Sequence, residues 1–283
     1  MWEQSSFAGI PINWAWYGVA LAGCAALYAY GAALMNSPSE LDKRQGIRYM
    51  TNAVFGLVYG IVVAILLYFS SWLIWGSSGA PDSSAIAYAA DRYHNATARL
   101  MDYVMDIGLV SRDLALAPIL SALAPTWTAA SWLANYCAQM LIYLFSAFEL
   151  ICRFMLAWGS LLLSAGIALV AVERLRSIGG FLVSSTCVLT VYAMWGATTP
   201  YVDHILNGLE FQYGGQWSIL ELIPKIASAA FWRDQLWGPV LRDGQFMAWT
   251  ITFYTLTFIL ATALAAGVSW GLGGLARSLS ARV

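Results

Sequence analysis

The sequence predicts an all-α, polytopic integral membrane protein with about five transmembrane helices and a large helical outer region between spans two and three. Hydrophobic residues make up 60% of the 283 positions, charged residues only 10%, and 14 residues are Trp. This composition is typical of membrane proteins and excludes a soluble domain with a large core. A net charge of −1 excludes an ordinary basic nucleic-acid-binding protein.

Five apolar segments of the chain approach or exceed the roughly 20 residues that a bilayer core about 30 Å thick requires. The predicted spans are 14–35, 50–75, 154–172, 181–199 and 247–272, within a single membrane domain covering residues 1–283. A basic loop at 36–48 separates the first two spans, and Gly179-Gly180 forms a turn before the fourth. The region before the first span lacks the basic residues of a signal peptide, so we expect residues 1–35 to stay in the mature protein.

The outer helical region covers 76–153, and an outer interfacial loop covers 201–246. Within the first region, residues 84–107 have the periodicity of an amphipathic helix. Its predicted apolar face consists of Ile86, Ala90, Tyr93, Thr97, Met101, Val104 and Ile107. Pro118 and Pro125 interrupt the apolar segment that follows. In the second region, Ile219–Phe231 is predicted as a short helix at the membrane surface, broken at Pro224.

The longest apolar run, 132–172, decides the topology. As one helix it would be roughly 60 Å long at about 1.5 Å per residue, twice the bilayer core. It therefore forms either two spans with a tight turn, or one span plus a helix outside the membrane.

Charge distribution favours the single crossing. A single crossing by 132–172 places seven cations and three acids on one side of the membrane, and six bases and eleven acids on the other. Because cytoplasmic loops carry the excess of Lys and Arg, we expect the N-terminus outside, the C-terminus in the cytoplasm, and 114–150 outside or re-entering the membrane.

Glu149 and Arg153 are the only charges in this run and lie one helical turn apart. Two arrangements suit them: a buried ion pair at an oligomer interface, or a local pair near the bilayer surface. Glu149 as a lone functional acid is a third interpretation.

Small and hydroxyl-bearing residues supply the other candidate sites. Helix packing between subunits is predicted at Gly56, Gly60, Gly267 and Gly271, which form small-residue faces. Lumen lining is predicted at Thr250, Thr255 and Thr262. The alternative for these threonines is that their hydroxyls bond back to their own helix.

No catalytic, nucleotide-binding or metal motif is present, so we expect neither an enzyme nor a cofactor or metal. The side chains of Asp203, His204 and Glu210 are of types that bind metal ions, but we favour the interpretation that they lie in a solvated loop. On the amphipathic helix, Asp91, Asp102 and Asp106 with Arg99 are similarly interpreted as a solvated face.

The outside N-terminus, five spans, large outer region, inside C-terminal tail and abundant Trp resemble the polytopic inner-membrane subunit of type IV secretion and conjugation machines (the TrbL-like family). Archaeal DNA-exchange membrane proteins of the CedA type are similar. The resemblance implies a non-enzymatic, homo-oligomeric channel or pilus-assembly platform in the cell membrane. It also implies a pilin and a secretion-type ATPase as partners, with DNA as cargo only. The alternative function is a small-solute or ion transporter, although the spans carry few of the buried charges that transporters use.

Overall fold

The computed structural model describes residues 6–7, 10–11, 14–75, 85–116, 121–213 and 228–280. Apart from a minimal antiparallel pair, β1 (Ser6–Phe7) and β2 (Ile10–Pro11), the regular structure of these residues is helical. The helices are α1 (Trp14–Met35), α2 (Glu40–Trp75), α3 (Ala85–Leu116), α4 (Ala124–Val170), α5 (Arg176–Ala197), α6 (Pro200–Asn207), α7 (Ala229–Phe231) and α8 (Gly238–Ser280). Short 3₁₀ turns precede α4 and α5, and a π-helical turn at Trp232–Trp237 joins α7 to α8.

Five helical segments are long and apolar enough to cross a membrane. They are Ala15–Met35, Glu40–Ile74, Ser121–Val170, Glu173–Ala197 and Arg233–Trp270. The predicted all-α class with membrane-type helices is therefore confirmed.

Three predicted boundaries are wrong because helices continue beyond their apolar cores. The helix α2 begins at Glu40, so most of the predicted loop 36–48 is helical. Gly179 and Gly180 lie inside α5 and form no turn. The predicted loop 201–246 contains α6 and the beginning of α8. The predicted interfacial helix lies mostly in 214–227, outside the described residues.

The helix α4 is continuous over 47 residues, or roughly 70 Å at about 1.5 Å per residue. The tight turn that two spans would require is therefore absent from 132–170. Pro125 does not interrupt α4, because it lies in the first turn, where a missing backbone N–H costs nothing.

The amphipathic helix is longer than predicted and its apolar face is slightly rotated. Tyr93, Thr97 and Ile107 are buried as expected, but Met101 is 48% exposed. Leu100 and Tyr103 are buried instead. Residue spacing predicted that one face of this helix is buried. Which residues lie on that face depends on how the neighbouring helices pack against it.

The chain forms two compact units. The first contains residues up to Ala89, Ile151–Trp195 and those from Phe258 onward; the second contains Ala90–Leu150 and Gly196–Thr257. In the first unit α1 packs along α2, where the Tyr17 hydroxyl donates a hydrogen bond to the Gly60 carbonyl at 2.9 Å.

The second unit has an aromatic core. Tyr93 of α3 packs against Phe145 and Phe148 of α4, with ring centroids 5.6 and 5.4 Å apart. Tyr254 of α8 contacts the same two phenylalanines at 5.6 and 5.7 Å. The Tyr254 hydroxyl is satisfied by the Gly196 carbonyl at 2.6 Å. Three helices far apart in sequence are thus joined by tilted and edge-to-face ring contacts.

Candidate functional site

A buried carboxylate near the beginning of α8 organises the second unit. Asp243 is 1% exposed. Its two oxygens accept hydrogen bonds from the backbone N–H groups of Glu210 at 3.1 Å and Phe211 at 3.0 Å. A buried charge requires such partners, because the desolvated carboxylate is otherwise very unfavourable. Asp243 therefore fixes residues 209–213, the non-helical stretch after α6, which we call the anchored segment.

Two aspartates of α3 hold the far end of the anchored segment. Asp106 accepts a hydrogen bond from the Tyr213 backbone N–H at 2.8 Å, and Asp113 accepts one from the Tyr213 hydroxyl at 2.7 Å. Burial raises the pKa of Tyr213, and its hydrogen bond to the Asp113 carboxylate raises it further. The phenol therefore stays protonated and acts as a donor.

The side chains of the anchored segment complete the packing. The Phe211 ring lies 5.7 Å from the rings of both Tyr103 on α3 and Trp127 on α4. Burial raises the pKa of Tyr103, and the nearby Asp243 carboxylate raises it further. The anchored segment is thus held by three carboxylates, which act as hydrogen-bond acceptors, and by the aromatic rings that contact Phe211.

Sequence reasoning placed Asp106 on a solvated face and did not single out Asp113, Tyr213 or Asp243. Their partners lie between 32 and 107 residues away along the chain. The apolar side chain of Phe211 would have suggested that this residue is buried. The acids could not be identified in this way, because no residue near them in the sequence indicates their distant partners.

The residues considered for metal binding have other partners. Asp203 pairs with Arg92, and Glu210 pairs with Arg242 at 2.8 Å. The His204 ring lies against Phe246, with centroids 4.0 Å apart. Within the described ranges, no group of three or more His, Cys, Asp or Glu side chains is arranged to hold a metal ion.

Glu149 lies beside a histidine that sequence reasoning did not connect with it. Its carboxylate oxygen is 3.3 Å from Nδ1 of His94 on α3. The Glu149 side chain is 16% exposed and that of His94 is 62% exposed. Arg153 lies one turn further along α4 and is exposed. A buried pair between Glu149 and Arg153 at an oligomer interface stays a prediction.

The predicted glycine faces have different surroundings. A Cβ atom at Gly56 would lie 2.9 Å from the Cys24 sulfur, and one at Gly60 would lie 3.1 Å from the Tyr17 hydroxyl. These two glycines therefore pack α2 against α1 within the chain. Gly267 faces open space, with nothing within 4 Å of an added Cβ. Gly271 lies in α8. Packing between subunits at these glycines stays a prediction.

The candidate lumen threonines lie on different sides of α8. Thr250 is fully buried and its hydroxyl donates to the Phe246 carbonyl at 2.9 Å. The hydroxyl of Thr262 donates to the Ile259 carbonyl at 2.9 Å, although its side chain is exposed. Thr255 is also exposed. The back-bonding alternative thus holds for two of the three, and lumen lining stays a prediction for the exposed pair.

Arg176 is a structural residue of the first unit that sequence reasoning missed. It is 7% exposed and follows the turn between α4 and α5. Its Nε donates to the Val170 carbonyl at 3.2 Å, and its guanidinium also donates to the Asn52 side-chain oxygen on α2. The guanidinium lies 5.7 Å from the Phe55 ring centroid. Arg176 thereby ties the α4–α5 turn to α2.

One face of α4 in the second unit carries large apolar and aromatic side chains that the described residues of that unit leave exposed. We call this face the α4 stripe; it consists of Trp132, Tyr136, Met140, Tyr143 and Leu150, all exposed. Trp132 and Tyr136 stack on each other with ring centroids 5.7 Å apart. The opposite face of the same helix is buried through Trp127, Leu141 and Phe145. The stripe is the candidate interaction surface of this unit.

Comparisons with family models, with curated proteins and with solved structures found no match to this chain.

Proposed function

We propose that this protein is a non-enzymatic subunit of a DNA-transfer machine of the type IV secretion and conjugation kind, serving as a channel or a pilus-assembly platform. The proposal rests on the resemblance in layout to the TrbL-like family. Five apolar helices of spanning length agree with that layout. The structural use of Asp106, Asp113 and Asp243 supports a non-enzymatic role, since each binds a backbone or phenol donor of the anchored segment.

The observation that carries the proposal is the α4 stripe. Contiguous apolar surface on a folded unit marks either a lipid contact or a protein interface, and aromatic and Met side chains are enriched in protein interfaces. Tyr143 is 72% exposed and Leu150 is 69% exposed. We assign the stripe to contact between copies of this chain, which makes the working form a homo-oligomer in the cell membrane.

The orientation follows from charge. With the N-terminus outside and the C-terminus in the cytoplasm, regions 76–153 and 201–246 lie on the outer side, where acids outnumber bases by eleven to six. An acidic surface binds DNA phosphates poorly. DNA would therefore pass as cargo without being held, and a pilin and a secretion-type ATPase would supply the filament and the energy.

The deciding experiment is affinity purification of the full-length chain after gentle detergent extraction, followed by identification of the copurifying proteins and native mass measurement. A homo-oligomer that copurifies with a pilin and a secretion-type ATPase is the expected result. A lone monomer that binds a small solute would contradict it and support a transporter.

A variant of the α4 stripe tests the assembly surface itself. Tyr143→Ala should lower the oligomeric fraction in native mass spectra several-fold, because it removes a large side chain at the interface. Tyr28→Ala is the control, since Tyr28 is also an exposed tyrosine but lies on α1 outside the stripe. Equal oligomeric fractions for both variants would exclude the stripe as the contact.

A further inference from the structure

The first unit contains an apolar groove between α2, α5 and α8, with a cavity volume of about 700 Å³. Val63 and Leu67 form its wall on α2, Val188 and Val191 on α5, and Ala261 on α8. All three helices belong to the segments apolar enough to span a membrane. The groove therefore lies where a bilayer would surround it with hydrocarbon.

The groove is open at its rim. Leu66 and Leu264 line it and are 58% and 64% exposed, whereas Leu67 and Ala261 are 2% and 8% exposed. It thus has a closed floor and an accessible side, so that an occupant can enter laterally from the membrane.

The two serine hydroxyls of the lining bond to their own helices. The Ser70 hydroxyl donates to the Leu67 carbonyl at 2.9 Å, and the Ser184 hydroxyl donates to the Phe181 carbonyl at 3.2 Å. No Asp, Glu, Lys or Arg is among the described residues that line the groove. An apolar occupant matches such a wall, because a polar solute would lose its hydration without compensation.

The length of the groove and its place in the membrane favour a lipid as the occupant. The lining on α5 runs from Val183 to Trp195, which corresponds to roughly 19 Å at about 1.5 Å per residue. A hydrocarbon chain matches this length, since one leaflet accounts for about half of a hydrocarbon core about 30 Å thick. The bilayer supplies such chains directly at the open rim, where Leu66 and Leu264 are exposed.

We infer that this groove is a binding site for the hydrocarbon chains of a membrane phospholipid. The site holds the chains between α2, α5 and α8 and leaves the headgroup at the membrane surface. The bound lipid fills the space that α2, α5 and α8 leave between them. The assignment is independent of the proposed role in DNA transfer, since it depends only on the groove and its place in membrane-type helices.

The first test counts retained lipid. The full-length protein is reconstituted into vesicles of dioleoylphosphatidylcholine and dioleoylphosphatidylglycerol, re-extracted in mild detergent and measured by native mass spectrometry. One phospholipid retained per chain is expected. Ala261→Trp fills the groove and should lower the retained fraction at least tenfold. Ala263→Trp, two residues away on the exposed side of α8 and not part of the lining, should retain it. Equal retention in both variants would overturn the assignment.

The second test uses the unaltered protein, so it stands even if Ala261→Trp does not fold. Phosphatidylcholine carrying a photoreactive diazirine in one acyl chain is incorporated into the same vesicles and activated by light. Cross-links should concentrate at groove residues such as Val188, at least tenfold above exposed Val58 on α2, which does not line it. Cross-links spread evenly over both positions would show ordinary lipid contact and overturn the site.

Discussion

At the scale of single residues, the second unit uses carboxylates to hold backbone. Asp243 accepts two N–H groups and Asp106 accepts one, so the anchored segment needs neither helix nor sheet to satisfy its donors. A buried donor left without an acceptor costs about 1–3 kcal/mol. Removing one oxygen atom should therefore loosen the whole stretch.

Asp243→Asn should destabilise the second unit by roughly 1–3 kcal/mol, because an amide offers only one acceptor oxygen to two N–H donors. Thermal unfolding in detergent and limited proteolysis at residues 209–213 measure the effect. The control is Asp234→Asn, a matched change at an exposed acid that pairs with its neighbour Arg233. Asp234→Asn should change neither the unfolding temperature nor the cleavage pattern. Protection of the anchored segment in Asp243→Asn would contradict its role.

Tyr213→Phe should cost about 1.5–3 kcal/mol, the usual contribution of a hydrogen bond to a charged group. The raised pKa of Tyr213 gives the effect a pH dependence. The protonated phenol is the donor, so its contribution is complete below the ordinary tyrosine pKa of about 10 and decreases as pH rises from there towards the raised pKa of the folded state. The difference between the unfolding temperatures of the two proteins should therefore begin to shrink above that pH. Tyr28→Phe, at an exposed tyrosine on α1, should follow the unaltered protein throughout.

At the scale of elements, glycines let helices of the first unit approach closely. Gly179 of α5 lies against the backbone of α4, where an added Cβ would be 2.6 Å from the Gly166 carbonyl oxygen and 2.6 Å from the Val170 nitrogen. Backbone atoms cannot move aside as a flexible side chain can. The distance between α4 and α5 therefore depends on this residue.

Gly179→Ala should destabilise the protein by about 1–3 kcal/mol through overpacking. The adjacent change, Gly180→Ala, is the control, because the nearest atom to its added Cβ is the Ser269 carbonyl oxygen at 4.0 Å. Gly180→Ala should be neutral or stabilising by up to about 1 kcal/mol, since Ala favours helix more than Gly does. Unfolding temperatures in one detergent compare the two. Equal effects at both positions would show that close packing at Gly179 is unimportant.

Gly267→Leu tests whether α8 packs against another copy. Because the position is open within the chain, the variant should fold normally but lose a large part of its oligomer in native mass spectra. Gly23→Leu is the matched control, since nothing lies within 4 Å of its added Cβ on α1 either. An unchanged oligomer in Gly267→Leu would remove this face from the assembly.

At the scale of the whole molecule, the excess of cations on one side predicts an orientation with the N-terminus outside. In a cysteine-free background, Gln212→Cys should react with a membrane-impermeant thiol reagent on intact cells, because this orientation predicts that the anchored segment lies outside. Ser39→Cys, between α1 and α2, should react only after the cells are permeabilised. Both positions are exposed, so accessibility within the chain is matched. The reverse labelling pattern would invert the orientation.

Features that depend on residues close together in the sequence were predictable. Apolar runs located the five membrane-type helices, and helical spacing located most of the buried face of α3, including Tyr93 and Ile107. Helix beginnings were missed at Glu40 and Arg176, because charged helix formers extend a helix past its apolar core and hydropathy does not register them. The contacts of Tyr213 with Asp106 and Asp113 could not be predicted, because sequence periodicity carries no information on contacts between residues about 100 positions apart.

The second unit is discontinuous in sequence, and this has a consequence for its biosynthesis. Tyr93, Phe145 and Phe148 leave the ribosome well before Tyr254, the ring that completes their core. At about 5–20 residues per second, the chain from Leu150 to Thr257 takes roughly 5–20 s to make. For that time Tyr254 is missing from the core, so the folding of this unit waits until α8 has been translated.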